Sequence, residues 1–194
     1  MISIIGRSKT RQKVLKLLFA NESKSFYLSE IAKIIGSSAG NTQRELERLV
    51  KDGIVKSEKK ANLRYYGLDR KNPIFSDLEN IVKKTIGIEA ELKKILDSLM
   101  GVKFSFIFGS YLKGEEFKSD SDVDIIIIGT PDENKLSRNI GRLERAIGRE
   151  INYHIYSSAE EFRKKIKNQS FLKNVVKKYQ ILTGDKNEFK RILR

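Results

Sequence analysis

Two aspartates, Asp122 and Asp124, stand two residues apart at the head of a run of four isoleucines, Ile125–Ile128. Side chains alternate between the faces of a strand, so both carboxylates fall on one face. Two hard oxygen ligands on one rigid strand suit Mg²⁺ (or Mn²⁺), which binds through one or two carboxylates plus substrate phosphates. Upstream, the apolar run Val102–Phe108 breaks at Gly109-Ser110. A glycine lets the backbone approach a ligand closely. Backbone N–H groups at a following helix start, together with the Ser110 hydroxyl, can hold a phosphate. A phosphate-binding turn is thus joined to a metal-binding carboxylate pair. The competing reading, a surface turn with solvated aspartates, leaves the abutting isoleucines unexplained.

The elements that position these residues can be read around them. Val102–Phe108 reads as a buried strand, and a second strand begins at the aspartates. A helix over Glu133–Ile147 and the turn Gly148-Arg149 lead to a third strand, Glu150–Tyr156. On that strand Glu150, Asn152 and His154 share one face. Ser157-Ser158-Ala159-Glu160 resembles a capping sequence for a helix through about Lys167. Phe171–Tyr179 reads as a second basic amphipathic helix, followed by a short apolar end, Ile181–Gly184, and a charged tail.

The pattern resembles the nucleotidyltransferase fold typified by DNA polymerase beta, and most closely its minimal nucleotidyltransferase branch. Gly109-Ser110, an eleven-residue spacer and Asp122-Val123-Asp124 match the signature Gly-Ser, spacer, Asp-x-Asp. Tyr111, Gly114 and Ser121 match its longer form. The resemblance implies that Gly109, Ser110 and nearby amides hold the triphosphate of an NTP. It implies that Asp122 and Asp124 are catalytic and hold the metal ions. A third carboxylate on a later strand would complete the second metal site and activate the acceptor hydroxyl; two-metal catalysis stabilises both attacking and leaving oxygens. The matching position here is Asn152. An asparagine can ligate through its carbonyl but carries no charge and is no useful base. Glu150 reads as a solvated charge at a strand start, and His154, the chain's one histidine, as structural. Asp120 and Lys113 read as loop residues.

The formal charge is +14 over 194 residues. Residues 1–70 carry 15 basic and 7 acidic side chains, and residues 71–194 carry 24 and 18. Both parts are therefore basic, which favours a polyanionic partner such as DNA or RNA. Cysteine is absent, which excludes disulfides and thiolate metal sites. No run of 18 apolar residues suggests a membrane span, and the N-terminus lacks a signal-peptide core. The cytoplasm is the expected location.

Residues 10–70 read as three helices and a β-hairpin. Val14, Leu15, Leu17, Leu18 and Phe19 are the apolar positions of the first helix, which Thr10 could cap. Ser29 is a plausible cap for Glu30–Ile35. After Gly36-Ser37-Ser38 a third helix, about Ala39–Lys51, buries Ala39, Leu46, Leu49 and Val50. Two short strands, Ile54–Lys56 and Leu63–Leu68, flank the tip Glu58–Asn62. The stretches Leu28–Gly36 and Gln43–Val55 resemble a winged helix-turn-helix domain of the bacterial and archaeal transcription-regulator type. Such domains place the third helix in the major groove and the wing along the backbone or minor groove. Asn41, Gln43 and Arg44 are then candidates for base edges, because amides suit adenine and arginine suits guanine. Ser38, Arg48, Lys59, Lys60 and Arg64 are candidates for phosphates. Used for protein contact instead, the same domain would leave these charges solvated.

Lys71-Asn72-Pro73 marks a boundary, since proline disfavours helix at the residue before it. Asp77–Met100 reads as a long helix that Gly87 can bend or break. The expected class is α+β: an N-terminal winged helix over residues 1–70, a linking helix over 71–100, and a nucleotidyltransferase-fold domain with a mixed sheet flanked by helices over 101–194. The two resemblances together imply a DNA-binding protein that transfers NMP from an NTP to a hydroxyl on a protein, an RNA end or a small molecule. The alternative is a DNA-binding regulator whose second domain is catalytically weak and senses nucleotide or binds a partner. Winged-helix regulators commonly pair on two half-sites, so a homodimer is expected. Minimal nucleotidyltransferases often partner a small helical toxin, which the sequence neither supports nor excludes.

Overall fold

Ser8, Tyr27 and Ser38 start the three helices of the N-terminal third. α1 (Lys9–Ala20) is capped by Ser8, whose hydroxyl accepts from the Arg11 N–H at 3.3 Å. The cap thus falls two residues before Thr10, the position the sequence suggests. A two-residue strand β1 (Phe26–Tyr27) runs into α2 (Leu28–Ile35), where the Glu30 carboxylate accepts from the Tyr27 backbone N–H. Gly36 ends α2 in the left-handed conformation, φ 59°, which glycine adopts without a Cβ penalty. α3 (Ala39–Lys51) follows, with Ser38 as its N-cap. The hairpin consists of β2 (Val55–Lys60) and β3 (Leu63–Leu68), with β3 also pairing β1. Its register joins Lys60 to Leu63, so the turn contains only Ala61 and Asn62. The first strand therefore runs further into the expected tip than the sequence suggests, while the second has the expected bounds, Leu63–Leu68.

The computed structural model describes residues 5–116 and 122–193, and the side chains of 113–116 are outside that description. Asp120 and Ser121 lie outside the described residues, as does the side chain of Lys113. The chain divides into two units, Met1–Ala90 with Arg145–Gly148, and Glu91–Glu144 with Arg149–Arg194. The first unit is built on Val14, Leu15, Leu18, Ile31, Leu46, Leu49 and Val55, all essentially solvent-free. Burying each such side chain contributes ~1.5–3 kcal/mol. Leu78 and Val82 of α4 (Phe75–Thr85) join the same core. Gly87, where the sequence allows the linking helix to break, is where it does break. The Gly87 N–H turns back to the Val82 carbonyl at 2.6 Å, and a Cβ there would meet Lys83 Cα at 2.8 Å. α5 (Ile88–Asp97) resumes after the break.

The second unit is a mixed four-stranded sheet flanked by helices, and the chain is α+β as expected. β4 (Val102–Phe108), β5 (Val123–Gly129), β6 (Ile151–Tyr156) and β7 (Tyr179–Thr183) lie in the order β6-β5-β4-β7. β4 is antiparallel to both β5 and β7, while β6 is parallel to β5. Between them come α6 (Glu133–Ile147), α7 (Ala159–Asn168) and α8 (Ser170–Val175), and α9 (Lys186–Ile192) closes the chain. Ile125–Ile128 are all fully buried, alternating between the two faces of β5. A strand covered on both faces reads as a continuous apolar run. One face packs Phe104, Phe106, Phe108, Ile126 and Ile128 against Phe162, Leu172, Val175 and Phe189. Two segments depart from expectation. The helix expected over Phe171–Tyr179 stops at Val175, and Tyr179–Thr183, which takes in most of the expected short apolar end, is a strand on the edge of β4; the charged tail is a helix that drives Phe189 into the core.

Candidate active site and candidate nucleic-acid surface

The head of β5 is set by its neighbours. Phe108, the last residue of β4, is the Cα partner of Asp124, and Asp124 is in turn the partner of Asn152 on β6. The next residue, Gly109, takes φ 82°, a left-handed conformation that L side chains rarely adopt. It opens a 3-10 segment, Gly109–Glu116, and sits so close to the aspartate that a Cβ on it would lie 2.8 Å from Asp124 Oδ2. The turn therefore lies against the Asp124 carboxylate. Ser110 follows, half-buried, and Asp122 and Asp124 are half-buried as well.

Asn152 completes the cluster. Its side-chain amide donates to Asp122 Oδ2 at 3.2 Å. Burial raises the Asp124 carboxyl above its ordinary range, the Asn152 amide pulls it back, and the Asp122 charge pushes it up again. His154 lowers it weakly from its exposed position on the same strand face. Glu150 is solvent-exposed and contributes its backbone carbonyl to the Val123 N–H at 3.0 Å. Among the described residues no group of three or more His, Cys, Asp or Glu side chains gathers to hold a metal. Two repelling, partly desolvated carboxylates nonetheless fit a divalent cation that also takes phosphate oxygens.

Arg149 is a residue beside the candidate site that the sequence does not single out. Its guanidinium lies over the Tyr111 ring, 5.3 Å from the centroid, and so ties the turn before β6 to the segment after Ser110. Its only sequence signal is its place beside Gly148.

In the first unit, Asn41, Gln43, Arg44 and Arg48 are all exposed on α3, opposite the buried Thr42, Glu45, Leu46 and Leu49. Two of them have acidic neighbours: Gln43 Nε2 donates to Glu47 at 2.8 Å, and Arg48 Nη1 to Glu45 at 3.2 Å. The Ser38 hydroxyl accepts from the Asn41 N–H at 3.3 Å, so it caps α3. Lys59 and Arg64 are cross-strand partners, and Lys60 pairs with Glu58 at 3.2 Å, all at the exposed end of the hairpin. Gln43 and Arg64 line one open cleft of about 410 Å³ with Ser29, Asn62 and Leu63. The structure thus brings α3 and the hairpin tip to a common surface.

Among the described residues no helix is long and apolar enough to cross a membrane. No curated protein matches the chain. Several solved structures resemble parts of it, among them the following three. A crystal structure described as a toxin–antitoxin with AMP-PNP is 20% identical, with 55% of this chain and 81% of that chain covered and a TM-score of 0.39. Reduced HlyU from Vibrio cholerae N16961 is 18% identical, covering 37% of this chain and 74% of that one at a TM-score of 0.32. HmgR from Pseudomonas aeruginosa is 22% identical over 52% of this chain and 42% of that one, with a TM-score of 0.28. Likenesses this partial say nothing of activity. Residues 1–76 match an EarA-like family model. Residues 89–182, the stretch that contains Gly109, Ser110, Asp122, Asp124 and Asn152, match the family model of the nucleotidyltransferase domain.

Proposed function

We propose that the second unit is a Mg²⁺-dependent nucleotidyltransferase that moves NMP from an NTP to a hydroxyl acceptor, in a protein that binds DNA through its first unit. The observation that carries this reading is the close approach of Gly109 to the Asp124 carboxylate, which supports a phosphate turn set beside a metal-binding pair. Gly109 and Ser110 would receive the triphosphate through backbone N–H groups and a hydroxyl. Asp122 and Asp124 would hold the metal. When bound, the cation supplies charge neutralisation at the phosphate oxygens. Asn152 donates a hydrogen bond to the Asp122 carboxylate. Exposed basic groups on α3 and the hairpin, among them Arg44, Arg48, Lys59 and Arg64, would meet a duplex.

Calorimetric titration of ATP and the other NTPs, with and without Mg²⁺, tests the site. Metal-dependent binding that vanishes in the Asp122→Ala/Asp124→Ala variant supports it, and transfer of label from an α-labelled NTP with release of pyrophosphate establishes catalysis. A wild-type chain that binds no NTP refutes the reading.

The Asn152 hydrogen bond favours a second reading, a nucleotide sensor that turns over slowly or not at all. A side-chain amide committed as a donor to Asp122 offers neither charge nor a base where a third carboxylate would stand. Nucleotide should then shift the affinity for a labelled duplex, and the duplex should shift nucleotide affinity by the same factor. Fluorescence anisotropy with and without Mg²⁺–NTP measures both; independence of the two affinities rules out the sensor.

A further inference from the structure

Four large apolar side chains are exposed among the described residues, and Phe171, 54% exposed, is the aromatic one. It projects from α8, which buries its neighbours Leu172 and Val175 in the core over the sheet. Its ring meets that of Phe108 in a T-shaped contact, 5.8 Å between centroids and 74° between planes. Phe108 precedes Gly109 directly and is the cross-strand partner of Asp124. By strand parity Asp124 shares its face with Ile126 and Ile128, which sit in the same core as Phe108. The exposed ring therefore stands on the same face and at the same end of the sheet as the carboxylate pair, one side chain away from the phosphate turn.

We propose that Phe171 is the stacking platform for the nucleobase of the nucleotide bound at Gly109-Ser110 and Asp122/Asp124; this deepens the nucleotide site proposed above and rests on it. A nucleobase has an apolar face that a ring can cover, and base–aromatic stacking is tolerant of base identity. Burial of Leu172 and Val175, one and four residues further along α8, anchors the helix that carries the ring, so little ordering is needed when the base arrives. A triphosphate without a base would use the turn and the metal but not Phe171.

The chain has no tryptophan, so Phe171→Trp makes a sole fluorescent reporter. Calorimetry with Mg²⁺–ATP and Mg²⁺–tripolyphosphate on wild type, Phe171→Ala and Phe171→Trp provides the comparison. Phe171→Ala should weaken ATP by about fivefold to 150-fold and leave tripolyphosphate unchanged. Phe171→Trp should retain ATP affinity, with its emission quenched by ATP and not by tripolyphosphate. Unchanged tripolyphosphate affinity in Phe171→Ala also shows that the variant is folded. Equal weakening of both ligands, or undiminished ATP affinity in Phe171→Ala with no quenching in Phe171→Trp, overturns the platform while the nucleotide site stands. Failure of wild type to bind either ligand overturns the site and the platform with it.

Discussion

Substituting alanine for Gly109 places a methyl group 2.8 Å from Asp124 Oδ2 on a backbone held at φ 82°. Two separate costs follow. An L residue in the left-handed region costs about 1–2 kcal/mol. Relieving the crowding forces the Asp124 carboxylate off its rotamer, at about 0.5–1.5 kcal/mol. Gly109→Ala should therefore destabilise the fold by ~1.5–3.5 kcal/mol and also turn aside a proposed metal ligand. In an Asp124→Ala background the nearest atom left from that residue is its Cβ, 3.8 Å away in ordinary contact. The crowding cost then disappears and only the backbone cost, ~1–2 kcal/mol, remains. Guanidinium unfolding of wild type, both single variants and the double variant measures the coupling, and Mn²⁺ titration of wild type and Gly109→Ala reads the ligand displacement. An identical cost for Gly109→Ala in both backgrounds would refute the contact between turn and carboxylate, because the clash alone makes the two costs differ.

Three further outcomes are expected. Ala61 sits at the hairpin tip with φ 52°, where a two-residue turn favours Asn or Gly, so Ala61→Gly should stabilise the first unit by ~1 kcal/mol in chemical denaturation. Burial holds the Asp124 carboxyl above its unfolded range, so the native chain binds more protons than the unfolded chain through that window. Stability from this residue therefore falls as pH rises through it. Asp124→Asn should accordingly gain stability over wild type as pH is raised from 4 to 7 without metal, and a constant difference between their unfolding midpoints would contradict the burial. Phe189, fully buried against Phe104, Phe106 and Phe162, should cost ~3–5 kcal/mol when replaced by alanine, whereas a merely solvated tail would show almost none of that loss by thermal or chemical unfolding.

The residues at the candidate site were legible because their chemistry is local. Asp122 and Asp124 share a face by strand parity alone, and Ile125–Ile128 announce a strand buried on both sides. Gly109 marks the end of β4 because the chain must turn there into the left-handed region. The three N-terminal helices and the hairpin were likewise visible, since Gly36 and Ser38 stop and start helices through bonds spanning only a few residues. Gly87 was legible as a weak point, but the hydrogen bond of its N–H to Val82 is what makes it a break.

Tertiary structure decided the rest, because the deciding partners are distant in the chain. Ile181–Gly184 is too short an apolar end to announce a strand, and Tyr179–Thr183 becomes one because β4 offers an edge to pair with. The charged stretch after Gly184 is helical, and the aromatic pocket around Phe106 gives Phe189 its place, with Ile192 and Leu193 packed beside it against the same core. Asn152 could be aligned with a missing carboxylate from the sequence, but its amide's donation to Asp122 depends on the β5–β6 register. Arg149 over Tyr111 and Phe171 against Phe108 have no periodic signature, because each contact joins residues brought together by the sheet. Motif spacing and strand parity thus determined which residues are the candidates for a metal and a phosphate, while the pairing of four strands, a long-range event, determined which other side chains stand beside them.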